Sequence, residues 1–172
     1  MKKIERLLIL IAVVMGAAFA PLSFGDAPNH GKTSAGNYLV YIGTYTSEQS
    51  KGIYAYRFNA ATGQFVPLGL AAETSNPSFL AVHPNHKILY AVNEIGNFQN
   101  QRSGAVSAFA IDSHTGKLTL LNQVASRGSD PCYVAVDKTG KYVLVANYGG
   151  GNVAVFPVLK GGKLGESTRV LQ

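Results

Sequence analysis

The chain has 172 residues, of which 47% are apolar and only 14% charged. That balance supplies a core and excludes global disorder. The formal charge is +6, but the basic residues are scattered without a run, which argues against a nucleic-acid surface.

In chain order, the first segment is a targeting signal. Lys2, Lys3 and Arg6 precede an almost wholly apolar run from Leu7 to Ala20, and Ser23, Gly25 and Asp26 follow. This is the layout of a secretory signal peptide, with cleavage expected after Gly25. The apolar run is short for a membrane span. Removing residues 1–25 leaves 12 basic and 8 acidic residues, a charge of +4. Export is therefore expected, to a periplasm or the extracellular space, with no membrane association after cleavage. Residues 26–37 are rich in Gly, Asn, Ser and Thr and read as a flexible leader.

Cysteine and histidine usage narrows the chemistry. Cys132 is the sole cysteine, so an intramolecular disulfide is excluded. The four histidines, His30, His83, His86 and His114, lack zinc-ligand spacing, and no metal site is expected. His83 and His86 flank a Pro-Asn turn and read as solvated.

From residue 38 onward the chain repeats itself. Asn76 to Asn93 aligns without a gap on Asp130 to Asn147, at an offset of 54 residues. Each copy is a short apolar strand, a polar turn and a second strand, which predicts an antiparallel hairpin. A third strand recurs at Gly52–Phe58, Gly104–Ala110 and Gly151–Pro157. Each is followed by a Gly-containing turn and a fourth strand opening at Phe65, Leu118 or Leu164. The third strands are spaced 52 and 47 residues apart.

Four short antiparallel strands in each unit of about 50 residues is the period of a β-propeller blade. A β-sandwich also yields many short strands, but not this superimposable unit. The expected fold is all-β: a β-propeller of about three four-stranded blades, at 38–75, 76–127 and 128–172. Propellers close with at least four blades. The expectation is thus an incomplete ring, the N-terminal part of a chain about twice as long.

These blades resemble the seven-bladed lactonase family, the propeller-type 6-phosphogluconolactonases, which are related to a carboxymuconate-cyclase branch. The residues that carry the likeness are Ile42-Gly43-Thr44-Tyr45-Thr46, Asn76-Pro77-Ser78-Phe79-Leu80 and Leu89-Tyr90-Ala91-Val92-Asn93-Glu94. It continues through Gly128-Ser129-Asp130-Pro131-Cys132 and Val145-Ala146-Asn147-Tyr148-Gly149-Gly150-Gly151-Asn152-Val153. The resemblance implies seven blades and hydrolysis of a sugar lactone, 6-phosphorylated or not, without a cofactor. The family pattern has histidine directly after Pro-Cys, and here that position is Tyr133.

Lactone hydrolysis needs a base for water and donors to the oxyanion. Glu94, at the end of a second strand, is the candidate base, or else a solvated loop carboxylate. Tyr133 opens an innermost strand and is the second catalytic candidate, or else a packing residue. Asn93 and Asn147 are candidate substrate donors, or else caps of their own turns. Tyr148 and the glycines after it could offer main-chain amides to an anion, or form a plain turn. Arg102 and Arg127 are the loop cations in sequence reach of a phosphate. The competing function is an exported, non-catalytic propeller that binds a ligand or protein.

Overall fold

The computed structural model describes Arg6–Leu7 and residues 36–172. The expected signal peptide and leader therefore lie almost wholly outside the described residues. The described chain forms three four-stranded sheets.

The first sheet holds β1 (Arg6–Leu7), β2 (Asn37–Ile42), β3 (Gly52–Asn59) and β4 (Gln64–Glu73), in that order. β1 is a two-residue parallel rung beside Tyr38 and Leu39. The second sheet runs β5 (Leu80–Val82), β6 (Ile88–Asn93), β7 (Ala105–Ile111) and β8 (Leu118–Ala125). The third runs β9 (Pro131–Val136), β10 (Tyr142–Asn147), β11 (Asn152–Pro157) and β12 (Arg169–Leu171). Apart from β1 every pairing is antiparallel and joins neighbours in sequence. These are the meanders of propeller blades, and the three do not close a ring.

The strands fall where the repeat places them, with ends displaced by a few residues. The largest displacement is in the third blade, where Leu164 makes only an isolated bridge to Val158 and the fourth strand starts at Arg169. In the first blade the β2 ladder stops at Ile42. A Cβ at Gly43 would collide with the Pro77 carbonyl oxygen of the next blade. Thr44 then donates its Oγ1 to the Gly52 carbonyl at 2.7 Å, where a ladder bond would otherwise run.

Two apolar clusters join the blades. Leu39, Tyr41 and Ile53 of the first pack on Leu89, Ala91 and Phe109 of the second. Ile88, Tyr90, Val92 and Val106 of the second pack on Val143, Val145 and Phe156 of the third. β6 is consequently buried at all six positions, whereas β10 alternates. A middle blade is covered on both faces. The third is covered on one, leaving Tyr142, Leu144 and Leu171 exposed on the other.

Polar ties fix the blade-to-blade register. Tyr90 Oη donates to the Gly162 carbonyl at 3.0 Å. Asn122 exchanges two hydrogen bonds with the Leu164 backbone, at 2.8 and 3.0 Å. The expectation for His83 is corrected here. Its Nδ1 accepts the Asn85 N–H at 3.1 Å, which leaves the proton on Nε2 to donate to the Gly140 carbonyl at 3.0 Å. His83 is a half-buried bridge between blades, not a solvated turn residue.

Candidate active site

Tyr41 of β2 faces the second blade and Tyr90 of β6 the third, and Leu144 of β10 follows Tyr90 at the 54-residue offset of the repeat. Four residues on from these three stand Tyr45, Glu94 and Tyr148, beyond the second strands, which end at Ile42, Asn93 and Asn147. These exits, the loops after them and the lead-ins to β5 and β9 lie at one end of the sheets. Loops at that end are the natural place for ligand contacts.

Glu94 is the centre of a polar cluster there. Its Oε2 accepts from Tyr45 Oη at 2.8 Å and from Ser78 Oγ at 2.5 Å. Ser78 is buried and Tyr45 is 40% exposed, so the cluster runs from the protein interior to its surface. An ionised carboxylate is acceptor-only, and two hydroxyl donors suit it. No hydrogen bond among the described residues reaches Oε1. The Tyr45 phenol is held above its ordinary pKa, first by its bond to the Glu94 carboxylate and then by desolvation.

Tyr133 joins the same mouth through Phe79. The two rings lie 4.6 Å apart with planes tilted by 55°. Phe79 follows Ser78, so one dipeptide contacts both predicted catalytic residues. Tyr133 is 49% exposed while its ring packs on Phe79.

Asn93 and Asn147 are 0% and 2% exposed. Asn93 Nδ2 donates to Thr74 Oγ1 at 2.7 Å and to the Ser75 carbonyl at 2.5 Å. Its Oδ1 accepts from Ser107 and Gln123 at 2.7 and 2.9 Å. Asn147 Nδ2 donates to the Ser126 carbonyl at 2.9 Å and to Asn152 Oδ1 at 2.7 Å. Both staple a second strand to the preceding inter-blade loop.

In the turn after Tyr148 the amides of Tyr148, Gly150 and Gly151 donate to the carbonyls of Asp130, Ser129 and Asn147. The Tyr148 side chain is 84% exposed. Arg102 and Arg127 are brought together, lining a cavity of about 380 Å³ with Gln101, Ser103, Ala125 and Val170. Ala125 ends β8 and Val170 lies in β12, so this cavity faces the outer strands. The Glu94 cluster lies toward the inner ones.

Tyr45 and Ser78 were not singled out as functional from the sequence. The signal for Tyr45 was its offset of four from Tyr41, matching Glu94 after Tyr90, but the first blade starts without an innermost strand in the repeat. Among the described residues, no group of three or more His, Cys, Asp or Glu is placed to hold a metal ion.

The stacked four-stranded meanders and the polar cluster at their second-strand exits define a β-propeller with a site at one end. The chain belongs to the family described as Lactonase, 7-bladed beta-propeller, whose model matches residues 39–172. It is 39% identical over 127 residues to the 6-phosphogluconolactonase of Bacillus subtilis (strain 168), covering 74% of this chain and 35% of that protein. Against the 6-phosphogluconolactonase of Formosa agariphila the identity is 35% over 126 residues, covering 73% of this chain and 35% of that one. Among solved structures, it superimposes on the periplasmic gluconolactonase PpgL of Pseudomonas aeruginosa with a TM-score of 0.68. The identity there is 37%, covering 77% of this chain and 37% of that one. The chain thus spans about a third of the length of these relatives.

Proposed function

We propose that the full-length protein hydrolyses a sugar lactone to the free acid, with Glu94 as the base. The observation that carries this reading is the Glu94 carboxylate, fixed through Oε2 by Tyr45 and Ser78 and without a hydrogen bond at Oε1 among the described residues. Family membership and the names of the relatives supply the reaction class.

In this mechanism Glu94 takes a proton from water as the water oxygen bonds to the lactone carbonyl carbon. The carbonyl oxygen gains negative charge, and the Tyr133 hydroxyl donates to it. Collapse of the tetrahedral species breaks the bond to the ring oxygen. That oxygen takes the proton back from Glu94, leaving a hydroxy acid. Water is the only co-reactant. Tyr133 is a donor in this scheme and not a base.

The phosphate question turns on Arg102 and Arg127. Their cavity faces the outer strands, whereas Glu94 and Tyr133 lie toward the inner ones. An unphosphorylated lactone therefore suits the described cluster better than a phosphorylated one. The test compares turnover of gluconolactone and 6-phosphogluconolactone against their spontaneous decay. Acceleration of neither lactone by the full-length protein rejects the enzyme reading and favours the non-catalytic propeller.

We also infer export. The charged start, the apolar run and the small residues before Asp26 support it, as does the likeness to a periplasmic gluconolactonase. No helix among the described residues is long and apolar enough to cross a membrane. N-terminal sequencing of the protein from a cell envelope fraction should begin at Asp26. An intact Met1 in the cytoplasm would overturn export.

A further inference from the structure

We infer that Asn76 is the positioning residue of this site, a single side chain and peptide that set Glu94, Tyr45 and Ser78 relative to one another. The inference rests on the reading of Glu94 as the base and adds to it the device that aims it.

Asn76 directs its carbonyl and Nδ2 to the cluster and its Oδ1 to the neighbour of Tyr45. Its carbonyl accepts the Glu94 N–H at 3.0 Å and the Ser78 N–H at 2.8 Å. Its Nδ2 donates to the Glu94 carbonyl at 3.1 Å. Its Oδ1 accepts the Thr46 N–H at 2.9 Å and the Thr46 hydroxyl at 2.8 Å, fixing the residue next to Tyr45. The backbone of Glu94 is thus held on both sides by one residue. The loop carrying Tyr45, from the preceding blade, is held by the other end of the same amide.

This work limits the residue type. Asn76 has φ of 42°, in the left-handed region. Asn, Asp and Gly enter that region at low cost. Of these three, only Asn has both a donor for the Glu94 carbonyl and an acceptor for Thr46. The third blade supplies an internal comparison. Asp130 occupies the same corner with φ of 54°, and its carbonyl accepts the Tyr148 N–H at 2.9 Å. There the second-strand exit carries Tyr148, which is 84% exposed and makes no carboxylate cluster. The corner itself is a feature of the blade, and the amide side chain appears where a carboxylate has to be aimed.

The test uses the full-length protein with ring-labelled tyrosine, Tyr45 being assigned by loss of its signal in Tyr45→Phe. Asn76→Gly keeps the backbone corner and removes both side-chain ties. Its Tyr45 titration should move down toward that of free tyrosine, and kcat for the lactone should fall about 10-fold or more with KM within about 3-fold. Asn76→Asp keeps the Thr46 tie and should fall between Asn76→Gly and wild type. Asn122→Ala, which loosens the second and third blades away from the site, serves as the comparator for general destabilisation. A Tyr45 titration in Asn76→Gly that matches wild type overturns the inference, whatever happens to Tm. Full turnover by Glu94→Gln would instead defeat the base reading, and the Tyr45 titration would still decide the role of Asn76.

Discussion

Tyr45 Oη and Glu94 Oε2 lie 2.8 Å apart although 49 residues separate them in the chain. The bond joins the second-strand exits of adjacent blades, so it forms only when those blades pack. Glu94→Gln keeps a carbonyl oxygen able to accept from Tyr45 and Ser78 but cannot take a proton. Turnover of the lactone by the full-length protein should fall by about 10²- to 10⁴-fold. Thermal melting should stay close to wild type, which separates lost chemistry from lost folding.

The buried tyrosines make stability sensitive to alkali. Burial pushes Tyr90 up to about 12, and Tyr41 is raised further, chiefly by the same desolvation. In the unfolded chain both ionise near the ordinary value of about 10. A raised folded pKa means that their contribution is complete below pH ~10 and is lost as pH rises toward about 12. Denaturant midpoints should therefore decline through that window. Tyr41 Oη is buried with no hydrogen-bond partner, whereas Tyr90 Oη has Gly162. Tyr41→Phe should be neutral or stabilising at pH 7 and should flatten the alkaline decline. Tyr90→Phe should flatten it too but lose stability at pH 7.

The repeat made the blades legible because a four-strand meander writes its period into the sequence through turn glycines and alternating strands. Residues that act within one unit follow from that pattern. Glu94 stands out in the sequence because it follows the end of a strand. Its hydrogen-bond partners do not, since Tyr45 comes from the preceding blade and Ser78 from the lead-in to an innermost strand. The surroundings of the asparagines are hidden for a related reason. A strand-end Asn looks the same whether it faces a channel or an inter-blade loop, and only packing shows that Asn93 meets Thr74, Ser107 and Gln123. Arg102 and Arg127 do meet, as their loop positions allowed, but on the outer side.

The two staples differ in strength. Asn93 has both ends of its amide satisfied, with Ser107 and Gln123 on Oδ1. The matching positions in the third blade are Ala154 and Val170, and Asn147 Oδ1 is buried without a partner. Asn93→Ala strands several buried groups and should cost about 1–3 kcal/mol or more. Asn147→Ala frees an unpaired acceptor as well as breaking bonds, so its cost should be clearly smaller. Equilibrium denaturation of the two variants checks the order.

On the outward face of the third blade, Leu144 is 37% exposed, Tyr142 45% and Leu171 58%. Contiguous apolar surface of this kind binds hydrophobic dyes and promotes association. The 172-residue chain should enhance dye fluorescence, and Leu144→Ser combined with Leu171→Ser should reduce the signal. An unchanged signal would place the dye elsewhere.

Tyr133 separates packing from chemistry in one residue. Its ring rests on Phe79 at 4.6 Å, and its hydroxyl has no hydrogen bond among the described residues. Tyr133→Phe keeps the ring contact and removes the donor proposed for the oxyanion. Its kcat should fall by about 10²-fold, within the range for a lost oxyanion donor, with melting unchanged. Tyr133→Ala should add a stability loss of about 0.5–1.5 kcal/mol from the aromatic pair. If Tyr133→Phe turns over at the wild-type rate while Tyr133→Ala is merely less stable, the residue is a packing element. The oxyanion donor must then come from another group at the same mouth.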